Sequence, residues 1–362
     1  MADAAAFDRK MAPDGCGAER CVWHEVPGAP ARVEGLAFFD SEKRWDRLPQ
    51  ALQPVLKQVR PALAELSRHM AGASLRFYTD SPEVWLKAQV ESPPYMSHMT
   101  PAAQCGFDCY VRLPGQPWAF AGLSKFPLSQ STFCVRLARG LPGRVQVCIN
   151  LPLYTGVRSL AVGLAPGAQM HCPPPPVRSA VAFYGTSITQ GGCASRPGMA
   201  YPAILGRMLD RPTYNFGFSG NGVALAELAD AICAAPGLGA LVVDVEANAG
   251  PEGLLEENLP RFLDAVRTAA PALPVLLLCG TVQADCRWDS RAADCWQGYA
   301  AFERREAERR AAEGDRRIFL ANAAELIGGP GAEATVDGIH LTDLGFYALA
   351  SGLAPVLEAI ME

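Results

Sequence analysis

Four consecutive prolines, Pro173–Pro176, stand near the middle of this 362-residue chain, directly after Cys172. Proline has no N–H to give to a helix or a sheet ladder, and its ring fixes φ. A run of four is a stiff, extended strut that no regular element can cross. The chain must therefore complete one fold before the strut and begin another after it. The sequence on the two sides has different rhythms.

Between about residues 29 and 172 the apolar residues fall in short alternating runs: Leu75–Thr79, Val84–Val90, Cys109–Leu113, Arg144–Ile149 and Val157–Leu164. Leu113-Pro114-Gly115, Leu141-Pro142-Gly143 and Ala165-Pro166-Gly167 punctuate them. Short period-two runs with such turns predict an antiparallel β-sandwich, with one short helix inserted over about Val59–Met70. Residues 1–28 are mixed and turn-rich and read as a loosely held arm. After a linker at residues 173–178, the stretch 179–362 alternates strand-like with helix-like runs. Ala180–Tyr184, Thr213–Phe216, Ala240–Val245, Pro274–Cys279 and Arg317–Ala321 read as strands. Met199–Leu209, Val223–Ala234, Leu254–Ala269, Cys295–Glu313 and Thr342–Ile360 read as helices. This alternation predicts an α/β fold, a five-stranded parallel sheet with helices on both faces.

Composition limits the partners. Hydrophobic residues make up 49% of the chain and charged residues 19%, ample for packed cores, and the net charge of −5 does not favour nucleic acid. No run of about 18 apolar residues argues for a membrane span. The first ten residues lack the apolar core of a signal peptide, so the expected location is cytoplasmic. The twelve cysteines are scattered with no CxxC pair. They predict neither a zinc ribbon nor any other metal centre, and free thiols.

The first strand of the α/β region runs into Gly185-Thr186-Ser187-Ile188-Thr189. A serine at a strand-to-helix turn lies where open α/β sheets bind ligands, at the carboxyl ends of their strands. A serine hydroxyl attacks poorly until a base takes its proton, and histidine is the usual base near neutral pH. Of the five histidines, only His340 falls in the α/β region. Asp337 precedes it by three residues, so one turn of chain would bring a carboxylate to the imidazole and orient it. Acyl transfer also needs hydrogen-bond donors for an oxyanion. The backbone N–H of Ser187, the glycine-rich turn Asn215–Gly222 and the side-chain amide of Asn248 are candidates. Arg196, in the loop after Ser187, is a possible contact for a polar substrate. Cys193, six residues past Ser187, reads as a small buried thiol.

Taken together these residues resemble the SGNH hydrolases, also called the GDSL lipase/esterase superfamily. Gly185–Thr189 is similar to its first block, with Thr186 in place of the usual Asp. Gly220 matches the second-block glycine, with Gly217 a rival in the same turn. Asn248 matches the third-block asparagine, although the usual GxND reads Glu246-Ala247-Asn248-Ala249 here. Asp337-Gly338-Ile339-His340 matches the DxxH block. Within the superfamily the chain looks like the branch whose N-terminal domain is named for a GxDLY motif, for which Gly106-Phe107-Asp108-Cys109-Tyr110 stands.

The resemblance implies an SGNH αβα domain preceded by a jelly-roll-like β-sandwich. It implies Ser187, His340 and Asp337 as catalytic residues, and the N–H groups of Ser187 and Gly220 with Asn248 as the oxyanion hole. The expected reaction is hydrolysis of short-chain, above all acetyl, carboxylic esters of small molecules or carbohydrates, without cofactor or metal. Two alternatives are an acyltransferase using the same residues and an inactive carbohydrate-binding protein. The sandwich is expected to border the cleft and to shape which alcohol enters.

Overall fold

The structure, a computed structural model, describes residues 7–8, 20–250 and 253–362. Ten strands precede the proline strut: β1 (Val22–Val26), β2 (Arg32–Glu34), β3 (Ser74–Thr79), β4 (Glu83–Val90), β5 (Asp108–Arg112), β6 (Ala119–Leu123), β7 (Thr132–Arg139), β8 (Val145–Asn150), β9 (Val157–Leu164) and β10 (Met170–His171). They form two antiparallel sheets, ordered β1-β9-β4-β7 and β10-β3-β8-β5-β6, with β2 added beside β3. The inner faces bury Leu75, Phe77, Leu86, Phe107, Val147, Ile149 and Val162 completely. Alternation drives this sandwich, because every second side chain of a strand points to the same face.

Most of the expected arm, residues 1–6 and 9–19, lies outside the described residues. Its end is a correction. Val22–Val26 pairs residue for residue with β9, from Val22 opposite Leu164 to Val26 opposite Leu160, and so belongs to the sandwich. The single helix expected over Val59–Met70 is two helices, Gln53–Val59 and Ala62–Leu66, because Pro61 cannot continue the first. Cys134 is disulfide-bonded rather than free, while the ten other described cysteines are free thiols. Disulfide pairing cannot be deduced from cysteine spacing alone, so nothing in the sequence signalled it.

The strut Pro173–Pro176 is tied to the sandwich by Arg32, whose guanidinium donates to the carbonyls of Pro173 and Pro174. Beyond it lie β11 (Ala180–Gly185), β12 (Thr213–Gly217), β13 (Leu238–Asp244), β14 (Val275–Cys279) and β15 (Ile318–Asn322). They form one parallel sheet in the order β12-β11-β13-β14-β15. The central strands are apolar on both faces because both are covered. Val181, Phe183, Ala240, Val242, Leu276 and Leu278 face the helices Tyr201–Leu209 and Asp343–Met361. Ala182, Tyr184, Leu241, Val243, Val275 and Leu277 face the helix Leu254–Ala269. The helix Asp343–Met361 is long and apolar enough to cross a membrane, contrary to the reading of the sequence. Here it buries Phe346, Leu349, Leu353, Leu357 and Ile360 in the core.

The two units share their cores. Ala71, Met99, Ala103, Leu153 and Tyr154, from connections of the sandwich, pack in one apolar layer of the α/β unit. Leu48, Leu56 and Leu63 pack in the other. The strand order reverses at β11, which has β12 on one side and β13 on the other. In open α/β sheets this switch point is where ligands bind.

Candidate active site

The chain leaves β11 through a turn that admits no larger residue than Gly185. A Cβ there would stand 2.1 Å from Thr189 Oγ1 and 2.4 Å from the Asp244 carbonyl. Thr186 caps the one-turn helix Ser187–Gln190 by accepting the N–H of Ile188 (3.2 Å), and Gly191, at φ +105°, ends it. Thr189 Oγ1 and the Tyr201 hydroxyl both donate to the buried Asp244 carboxylate (2.7 and 3.0 Å), locking this turn to the end of β13. Burial pushes Asp244 up to about 6, against the pull of those two hydroxyls.

Ser187, 7% exposed, places its Oγ 2.7 Å from His340 Nε2. His340 Nδ1 lies 2.7 Å from Asp337 Oδ2. The other carboxylate oxygen, Oδ1, accepts the backbone N–H groups of His340 (2.8 Å) and Ile339 (3.2 Å). Burial alone would raise the Asp337 carboxyl. The N–H and imidazole of His340 and the N–H of Ile339 outweigh it and hold the group below its ordinary value. A tight loop carries both residues. Thr335 bridges to Leu341, Val336 N–H bonds the His340 carbonyl (2.8 Å), and Gly338 takes φ +95° where a side chain would be strained. Gly192 lets the imidazole lie against the backbone: a Cβ there would be 3.1 Å from His340 Cδ2.

The two glycines of the turn after β12 have different duties. Gly217 N–H is donated to Asn215 Oδ1 (2.8 Å), and a Cβ on Gly217 would meet the Gln190 nitrogen at 2.2 Å, so this glycine serves packing. Gly220 N–H has no acceptor among the described residues. Neither has the N–H of Ser187, as expected of the first residue of a helix. Asn248 lies beside this turn. Its Oδ1 accepts Gly222 N–H (3.3 Å), and its amide donates to the Ala247 carbonyl (3.1 Å). An Asn amide has two N–H bonds, so one remains. Glu246, standing where the third block usually has glycine, is buried and accepts the N–H groups of Gly280 and Thr281 (2.7 and 2.8 Å), joining the ends of β13 and β14.

Arg196 does not stand free to meet a substrate. Its guanidinium is held between the units, 3.5 Å from Asp108, 3.2 Å from the Tyr110 hydroxyl and 4.2 Å from the Phe120 ring centroid. Asp108, fully buried, also accepts Gly198 N–H (2.8 Å) and the Asn150 amide (2.7 Å). The GxDLY-like segment is thus an inter-domain latch.

Three residues of the N-terminal unit that the sequence reading did not single out as functional brace the site. Arg47, fully buried, donates to the carbonyls of Asn215 (3.0 Å) and Gly217 (2.6 Å) and covers the Phe218 ring at 4.5 Å. Arg60 donates to Asn221 Oδ1 (2.8 Å) and to the Gly220 carbonyl (3.0 Å). His69, lowered to about 3 by burial and by its cationic neighbours Arg47 and Arg68, stays neutral and takes an N–H of the Gln190 amide on Nδ1 (3.2 Å). The Gln190 Oε1 accepts Ser219 N–H (2.9 Å).

Residues 178–358 match the model of the GDSL-like lipase/acylhydrolase family, and residues 21–170 match that for the N-terminus of SGNH-hydrolase-type esterases. A Bacteroides ovatus protein assigned to the GDSL-like lipases is 26% identical, with a TM-score of 0.84 over 94% of this chain and 98% of its own. The salicylyl-acyltransferase SsfX3 of a tetracycline biosynthetic pathway is 17% identical, with a TM-score of 0.71 over 94% and 97%. A family two carbohydrate esterase from Cellvibrio japonicus is 13% identical, with a TM-score of 0.58 over 94% and 98%. The last two are likenesses of fold. No curated protein sequence matches the chain significantly.

Proposed function

The chain belongs to the GDSL-like lipase/acylhydrolase family, and from that premise we propose that it is a serine esterase acting through an acyl-enzyme on Ser187. The observation that carries this reading is the unbroken line Ser187 Oγ–His340 Nε2 and His340 Nδ1–Asp337 Oδ2, at 2.7 Å for each link. His340 takes the Ser187 proton as Oγ attacks the ester carbonyl carbon, and Asp337 fixes the tautomer and stabilises the imidazolium. The oxyanion of the tetrahedral intermediate accepts hydrogen bonds from the free N–H groups of Ser187 and Gly220 and from the Asn248 amide. Collapse transfers the proton from His340 to the departing alcohol and leaves the acyl group on Ser187. His340 then deprotonates a water, which attacks the acyl carbon and releases the acid.

The acyl group we infer is short, acetyl above all, with a carbohydrate or other small molecule as the alcohol. Two features support this: the near-complete burial of Ser187, with Tyr154 of the N-terminal unit packed beside Gly192, and the presence of carbohydrate esterases among proteins of the same two-domain fold. Transfer to an acceptor alcohol is the second reading. The same near-burial of Ser187 favours it, since limited access for water lets a bound hydroxyl compete for the acyl-enzyme.

Hydrolysis of p-nitrophenyl esters from acetate upward and of acetylated sugars, with S187A as control, tests the proposal. The expected result is the highest kcat/KM on the acetyl esters and none in S187A. Labelling of the native protein but not of S187A by a fluorophosphonate probe is expected too. Absence of both labelling and hydrolysis would exclude the nucleophile and favour a non-catalytic carbohydrate-binding role. Added acceptor alcohols separate transfer from hydrolysis by the acylated product.

A further inference from the structure

The segment between β4 and the short helix Pro101–Cys105 lies against the α/β unit near Ser187. Its shape is set from within by Gln104, a fully buried side chain. Gln104 Oε1 accepts the N–H groups of Tyr95 and Met96 (2.9 Å each), and its amide donates to the carbonyls of Met96 (3.0 Å) and Met99 (2.7 Å). Thr100 Oγ1 fastens the segment to the α/β unit at the Ser195 carbonyl (2.6 Å). Among the exposed residues held in this frame is His98, with its ring centroid 6.3 Å from that of His340.

Cys193 comes from a different loop, just after Gly192. Its φ of +70° is in the left-handed region, which costs a residue with a Cβ roughly 1 kcal/mol or more. The strained backbone presents its thiol to the Asp337 loop. A ring nitrogen of His98, the Cys193 sulfur and a carboxylate oxygen of Asp337 all lie within 4.8 Å of one another. Among the described residues, no other three His, Cys, Asp or Glu side chains are grouped so closely.

We propose that His98, Cys193 and Asp337 form a binding site for a divalent zinc-type ion, and that its occupation switches the esterase off. Thiolate and imidazole ligands suit zinc, whereas magnesium and calcium need sets of oxygens. Ligand atoms around a tetrahedral zinc, each about 2.0–2.3 Å from the metal, are roughly 3.3–3.8 Å apart. Closing to that distance needs inward movement of about 1 Å, which the exposed side chains of His98 and Asp337 provide by rotation. Water takes the fourth position, and the Cys193 thiol gives its proton to solvent as the zinc–sulfur bond forms. The consequence follows from the carboxylate. The rotation that brings Asp337 to the metal breaks its bonds to His340 Nδ1 and to the N–H groups of His340 and Ile339, so Asp337 no longer orients His340 and the base that serves Ser187 is weakened. The inhibition rests on the esterase reading above; the site rests on ligand geometry alone.

The test uses the whole 362-residue chain stripped of metal by EDTA and returned to chelator-free buffer. Zinc affinity is measured by competition with a chromophoric chelator, cobalt binding by its thiolate charge-transfer absorption, and ester hydrolysis in parallel. The proposal expects one zinc per chain, a cobalt–thiolate band, and at least a tenfold loss of hydrolysis on zinc that EDTA reverses. Magnesium at the same concentration has no effect. H98A and C193S each weaken zinc binding by roughly tenfold or more, C193S removes the band, and both variants keep metal-free activity. Equal zinc affinity in the variants, or a cobalt band that survives C193S, overturns the site. Should C193S fail to fold, H98A alone decides. Zinc binding through these residues in a protein without esterase activity would keep the site and reject the esterase. Hydrolysis insensitive to zinc, with no binding, would do the reverse.

Discussion

Arg60 of the N-terminal unit donates a hydrogen bond of 3.0 Å to the carbonyl of Gly220, whose own N–H, in the turn after β12, has no acceptor among the described residues. The same guanidinium holds Asn221 Oδ1 at 2.8 Å. The turn carrying the proposed oxyanion donor is therefore positioned by a side chain from the other half of the chain. Removing an oxyanion donor outright costs about 10²–10³ in kcat. Loosening the loop that holds one costs less, on the order of tenfold. R60A is expected to lower kcat by that factor with little change in KM, and R60K, which keeps one donor, to recover part of it. Steady-state kinetics on an acetyl ester give the answer; a rise in KM at unchanged kcat would assign Arg60 to substrate binding instead.

Asp337 stands on the Nδ1 side of His340 and accepts from that nitrogen and from two backbone N–H groups. An asparagine at 337 can present its amide to Nδ1 and so favour the wrong imidazole tautomer. D337N should lose on the order of 10³–10⁴ in kcat while its circular dichroism and thermal midpoint stay near those of the parent. A loss below tenfold would remove Asp337 from the mechanism.

These two cases differ in how legible they were. Asp337 and His340 are three residues apart, and Ser187 follows an apolar run, so local spacing was enough to nominate them. Arg47 and Arg60 act on partners 160 to 170 residues away, and an arginine in a connecting segment gives no hint of such a partner. Gly217 and Gly220 look alike in sequence; what separates them in the structure is the Asn215 side chain, which takes the Gly217 N–H. Arg196 was misread because its loop suggested access to substrate, whereas Asp108 and Tyr110 of the sandwich occupy it. Fold class was readable because period two and the strand–helix alternation are local. That the two units share cores was not, because Leu48, Leu56 and Leu63 look like the apolar face of any short helical segment.

Asp108 supplies a prediction on stability. It is fully buried, accepts Gly198 N–H and the Asn150 amide, and faces Arg196 at 3.5 Å. Alanine would leave those two donors without their acceptor inside the interface and remove the carboxylate that faces the guanidinium. The expected cost is about 2–4 kcal/mol, read as a lower urea midpoint. Because the latch joins the two units, D108A is also expected to broaden the transition. A midpoint within error of the parent would show that water replaces the carboxylate without loss.

Glu303, on the helix Ser290–Ala312, is fully buried, and neither carboxylate oxygen has a hydrogen-bond partner. Burial, and then the nearby Glu246 and Asp244, push its carboxyl well above the ordinary value. The folded protein therefore keeps a proton on Glu303 that the unfolded chain loses near pH ~4.3. Where the folded state binds more protons than the unfolded one, stability falls as pH rises. Glu246, raised to about 7 chiefly by burial, contributes in the same direction from its unfolded value up to about that pH. E303Q keeps the shape of the protonated acid and does not titrate. The parent should lose stability steadily between pH 5 and pH 8, and E303Q should lose less, matching or exceeding the parent at pH 8. Urea midpoints at both pH values measure this, and parallel pH profiles for the two proteins would mean that Glu303 ionises in the folded state at its ordinary pKa.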